Sequence, residues 1–81
     1  MKGGGMYFLI SLVYEIYEKD GTTVEYKSTC KRHSTHSLQD LSRELPILIL
    51  HEQRVLAATT RVREKKLLVK LTSHSVAPYS V

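Results

Sequence analysis

The sequence predicts an α+β domain: an N-terminal β-hairpin, one covering helix and a C-terminal antiparallel β meander. Three observations predict it. Tyr7 to Tyr17 is the longest apolar run, and Asp20-Gly21 separates it from a second β-rich run, Thr22 to Cys30. β-Branched and aromatic runs on both sides of Asp-Gly are a strong short-range hairpin signal. Ser37, followed three residues on by Asp40 and by a leucine stripe, marks a helix start, and Leu67 to Thr72 reads as a closing strand.

With 81 residues the chain makes one domain. A chain of this size buries only about 60–65% of its unfolded surface, so its core is small. A composition of 42% hydrophobic and 25% charged residues argues against disorder across the whole chain. Residues 1–5, with Gly3-Gly4-Gly5, read as a flexible leader, and Met6 is an alternative start. The domain then covers 6–73, and 74–81 reads as a loose tail with Pro78 and little that packs.

In the first strand, Phe8, Ile10, Leu12, Tyr14 and Ile16 alternate with Tyr7, Leu9, Ser11, Val13, Glu15 and Tyr17. Both faces are apolar as far as Val13, which predicts burial on both sides over the first half. A helical stripe of Leu9, Leu12, Val13 and Ile16 also exists, but the β-branched and aromatic content favours strand. In the second strand Val24, Tyr26, Ser28 and Cys30 share one face, while Thr23, Glu25, Lys27 and Thr29 form a polar face expected to meet water.

Lys31 to Ser37 reads as a polar connector. Leu38 to Leu45 then forms an amphipathic helix through Leu38, Leu41 and Leu45, with Pro46 as its stop. Beyond it Ile47 to Leu50 reads as a short buried strand, and Val55 to Val62 pairs with Leu67 to Thr72 around Glu64-Lys65. A helix is the alternative for 47–63, with Pro46 at its first position and Arg61, Arg63, Lys65 and Lys66 at its C-terminal end. On that alternative the order of elements loosely resembles a winged helix-turn-helix. The turn, however, has no glycine, and residues 22–36 stand as an insertion.

A net charge of +4 leans towards polyanionic partners. Arg54, Arg61, Arg63, Lys65 and Lys66 fall in one short span and form the candidate nucleic-acid site. A basic β-ribbon can follow phosphates or enter a major groove; a solvated hairpin tip is the plainer account of the same residues. Cys30, His33 and His36 invite a zinc reading, but Cys-x2-His-x2-His is not a standard ligand spacing, and a polar loop explains it as well. Cys30 beside a histidine has no glycine elbow, oxyanion-hole signature or phosphate loop to support catalysis. Tyr7, Tyr14, Tyr17 and Tyr26 all lie in the hairpin, where tyrosine usually packs its ring and keeps its hydroxyl wet; beside lysines it can also stack bases.

The expectation is therefore a small basic binding protein, not an enzyme, with no catalytic residue, cofactor or metal site. Its first reading is a nucleic-acid-binding regulator, and its second a protein-interaction module, an inhibitor or adaptor working through a sheet edge or apolar patch. Cys30 is the single cysteine, which rules out an intramolecular disulfide and suits a reducing, cytoplasmic setting. The apolar run is too short for a membrane span, which needs about 20 residues. A small core and apolar first strand predict a homo-oligomer.

Overall fold

Alternation and the Asp-Gly turn produce the hairpin in the computed structural model, which describes residues 5–79. Strand β1 (Met6–Tyr17) pairs antiparallel with β2 (Thr23–Thr35). Gly21 N–H donates to the Glu18 carbonyl at 2.8 Å, and Gly21 takes φ +97°, a left-handed conformation that costs glycine little. The Asp20 carboxylate accepts from Thr22 N–H at 2.9 Å, which holds its pKa below the ordinary carboxylate value.

Helix α1 (Leu38–Ala57) follows, then the short α2 (Thr60–Glu64), then β3 (Leu68–Pro78), which joins the other side of β1. The sheet order is β2-β1-β3, all antiparallel. The α+β class, hairpin, covering helix and closing C-terminal strand are all present. The long strands make the molecule elongated, 51 × 19 × 17 Å.

The helix is where the element boundaries differ from expectation. Ser37 caps it as predicted, accepting from Asp40 N–H at 3.1 Å. Pro46 does not stop it; α1 runs through the proline to Ala57. Ile47 to Leu50 and Val55 to Ala57 are therefore helical, Thr60 to Glu64 forms α2, and the predicted meander reduces to the single strand β3. The physical reason is a continuous stripe. Leu41 is buried, and Leu45, Leu48, Ile49 and Leu56 continue along the same helix face against the core. Burying that stripe outweighs the local cost of one proline. The winged helix-turn-helix alternative fails for the same reason, since no turn separates two helices at Pro46.

The core is one-sided. Phe8, Ile10, Leu12, Tyr14 and Ile16 face α1 and are buried, with Leu41 against them and Val62 of α2 closing one end. Tyr7 and Leu9 on the opposite face are 44% and 37% exposed, so the first half of β1 is not buried on both sides. The chain has one helical layer, and nothing among the described residues covers the second sheet face.

The two faces of β2 also exchange roles. Its polar residues Glu25, Lys27, Thr29, Lys31 and His33 pair with the buried face of β1, so they lie on the helix side. They are tolerated there because β2 is an edge strand and the charged groups reach partners on the helices. Lys31 Nζ lies 3.1 Å from Glu52, His33 Nε2 lies 2.7 Å from Glu44, and Arg61 pairs with Glu25.

The predicted tail is largely strand: His74 to Pro78 belong to β3 and pair with Phe8 to Leu12. A central strand needs hydrogen-bond partners on both edges, and this backbone demand recruits a segment whose side chains offer little packing. Pro78 is tolerated at the end of an edge strand. The leader, Gly5 excepted, lies outside the described residues.

Candidate functional site

The five predicted basic residues come from the last turn of α1, from α2 and from the turn into β3. All five are exposed. Arg61 is committed to Glu25 of β2. Among the described residues, Arg54, Arg63, Lys65 and Lys66 have no carboxylate within ion-pair distance. The structure therefore divides the cluster into one structural arginine and four free cations, with the exposed Glu64 between them.

The turn that presents these cations is unusual. Leu67 N–H donates to the Val62 carbonyl at 2.9 Å and Lys66 N–H to the Arg63 carbonyl at 3.2 Å, the paired bonds of a Schellman ending. Glycine normally occupies the left-handed position of this motif. Here Lys66 holds it, at φ +55°. Lys65, Lys66 and Leu67 also meet Glu18, Lys19 and Asp20 of the β1–β2 turn around one shallow concavity. Lys19 thus joins the basic end, a neighbour that spacing along the sequence could not reveal.

The uncovered sheet face is the second feature. Register places Tyr7, Leu9, Ser11, Val13, Glu15 and Tyr17 of β1 along its centre. At one end Tyr7 and Tyr79 have ring centroids 6.0 Å apart. At the other, Lys70 Nζ lies 5.0 Å from the Tyr17 ring centroid and 3.6 Å from Glu15. Glu15 is 9% exposed and also accepts a hydrogen bond from the Thr23 hydroxyl. Tyr26, opposite Glu15 on β2, is 60% exposed. Arg32 lies opposite Leu9 on the same face, exposed and without a carboxylate partner among the described residues.

The Cys30 and histidine constellation is pulled apart. Cys30 lies on the uncovered face, where its thiol is 3.8 Å from the Ser11 hydroxyl. His33 lies on the helix face with Glu44, and His36 follows the end of β2. Among the described residues no group of three His, Cys, Asp or Glu side chains is placed to hold a metal ion. No helix among them is long and apolar enough to cross a membrane.

Compared with protein-family models, curated proteins and solved structures, the chain shows no significant match to any of them.

Proposed function

We propose that the protein is a small non-enzymatic nucleic-acid-binding protein, a regulator that contacts phosphates through its basic end and works in the cytoplasm. One observation carries the reading: Arg54, Arg63, Lys65 and Lys66, all within thirteen residues of chain, are exposed, with no carboxylate in ion-pair range among the described residues. Unpaired, closely spaced cations are what counterion release from a polyanion requires. Lys66 adds support, since a non-glycine residue in the left-handed region costs roughly 1–2 kcal/mol and a charged group kept there suggests use of the charge. The exposed, unpaired Cys30 suits a reducing compartment.

The test is binding to duplex DNA, single-stranded DNA and RNA across a salt series, for the wild type, Arg63→Ala/Lys65→Ala/Lys66→Ala and Arg61→Ala. The triple variant is expected to weaken binding to every nucleic acid. It should also flatten the log–log salt slope by up to about 3, roughly one per phosphate contact. Arg61→Ala should change binding far less, because Arg61 is spoken for by Glu25. Absence of binding at low salt sinks the proposal.

A second reading, a protein-interaction module or homo-oligomer, is favoured by the outer surface of α1. Ile47 is 70% exposed and Leu50 46% exposed there. Sedimentation of Ile47→Glu/Leu50→Glu against wild type tests it: a wild-type oligomer that the variant dissolves supports this reading.

A further inference from the structure

We propose that the uncovered sheet face is a single-strand platform, on which unpaired bases of DNA or RNA stack against tyrosines while the backbone runs to the basic end. The inference rests on the nucleic-acid reading above and names its substrate class.

Three features carry it. The first is chemistry. Tyr17 and Tyr26 flank one end of the face and Tyr7 and Tyr79 the other. Tyr7 and Tyr26 are exposed and Tyr17 and Tyr79 half-buried; a tyrosine ring within reach of a base stacks any base, because every base has a π-face. Arg32 beside Leu9 supplies a cation without a carboxylate partner among the described residues, while Lys70 beside Tyr17 is shared with Glu15. The one carboxylate within the face, Glu15, is buried and engaged by Thr23 and Lys70, so little negative charge opposes a phosphate backbone.

The second is continuity. Tyr17 ends β1 directly before the turn that holds Lys19, and that turn lines the same concavity as Lys65 and Lys66. A strand leaving the Tyr17 end therefore reaches Lys19, Lys65 and Lys66, three cations that share this concavity with the carboxylates of Glu18 and Asp20. Tyr7 and Tyr17 are ten residues apart on one strand, which at about 3.3 Å per residue is roughly 33 Å, long enough for several nucleotides.

The third is shape. A three-stranded sheet is broader than the helix or two-stranded ribbon that a major groove about 12 Å wide admits. Stacking on a sheet instead requires bases that are already unpaired. A second copy of the chain fits this face poorly. Sheet-on-sheet packing interdigitates apolar side chains, whereas the middle of this face is the row Cys30, Ser11, Ser75, followed by Ser28, Val13, Ser73.

The experiment titrates a 20-nucleotide oligothymidylate, a 20-nucleotide oligouridylate and a 20-base-pair duplex into wild type, Tyr17→Leu/Tyr26→Leu and Tyr17→Phe/Tyr26→Phe. Anisotropy of labelled nucleic acid gives the affinity. The chain has 5 tyrosines and no tryptophan, so quenching of tyrosine emission reports stacking directly. Wild type is expected to prefer either single strand over duplex and to lose tyrosine emission on binding. The leucine variant should lose roughly five- to hundredfold in single-strand affinity with duplex affinity unchanged, and the phenylalanine variant should retain most of it. Far-UV circular dichroism of the leucine variant checks that the fold is kept, and Tyr26→Leu alone, at an exposed edge position, serves if the double variant unfolds.

Equal single-strand and duplex affinity, with the leucine variant unchanged, overturns the platform while leaving the basic end as a phosphate site. Binding to neither removes the nucleic-acid reading itself. A wild-type dimer that the leucine variant converts to monomer also overturns the platform, because a second copy then occupies the face.

Discussion

The Tyr14 hydroxyl, on the buried face of the central strand, donates to the Ile49 main-chain carbonyl in the middle of α1 at 2.5 Å. It is a polar link between the two layers, set among Ile10, Leu12 and Leu41. Burial, and then the nearby Glu52 carboxylate, push the Tyr14 pKa above its ordinary value of 10.0. The folded state therefore holds this proton more tightly than the unfolded chain. Its stabilising effect is full below the unfolded pKa and is lost as pH rises through the folded one.

Tyr14→Phe should cost about 0.5–1.5 kcal/mol near neutral pH, the net value of one hydrogen bond, since the Ile49 carbonyl keeps its helical partner. Urea denaturation between pH 8 and about 11 separates the two effects. Wild-type stability should fall across the upper part of that range more steeply than that of Tyr14→Phe. Parallel pH profiles would mean that Tyr14 ionises alike in both states.

Lys31 and Glu52 make the second link, from edge strand to helix. Glu52 is 7% exposed, while the Lys31 side chain is 45% exposed. Lys31→Ala leaves a nearly buried carboxylate without its cation, a change that costs about 3–5 kcal/mol for a fully buried pair. Exposure of the lysine lets water and salt make up part of the loss, so about 1–2 kcal/mol is expected. Lys31→Ala/Glu52→Gln should recover most of it. A double-mutant cycle by chemical denaturation measures this, and additive losses would show that the two groups are not coupled.

Lys66 separates stability from binding. Lys66→Gly places the usual residue in the left-handed position that ends α2, and should stabilise the fold by roughly 1 kcal/mol. The same change removes one cation from the basic end, so nucleic-acid affinity should fall while the melting temperature rises. A variant that is both more stable and equally tight would detach Lys66 from the site.

How much of this was legible varies by element. The hairpin was legible because its signals are local: alternation in β1 and a glycine where the turn needs φ +97°. The start of α1 was legible from Ser37 and Asp40. Its extent was not, because reading Pro46 as a stop divides the stripe running from Leu41 through Leu48 to Leu56 into two shorter patterns. The row Glu25, Lys27 and Thr29 lies on the helix side, with Lys27 still exposed to water, because period two separates two faces without saying which one a helix will cover. The basic residues are neighbours in sequence, so their clustering was visible. The pairing of Arg61 with Glu25, and the approach of Lys19 to Lys65 and Lys66, depend on how distant elements meet.

Pro46 itself provides the remaining prediction. It lies inside α1, eight residues past Leu38, where a proline has no N–H to offer the Ser42 carbonyl and its ring crowds that carbonyl. It is also exposed, so its ring adds little to the core. Pro46→Ala should therefore stabilise the protein. The full interior difference between proline and alanine is about 3 kcal/mol. A helix already shaped around the proline will recover only part of that, so roughly 1–2 kcal/mol is expected, read as a higher denaturation midpoint at unchanged m-value. A loss of stability would mean that Pro46 is needed to lay Leu41 and Leu56 along the same sheet.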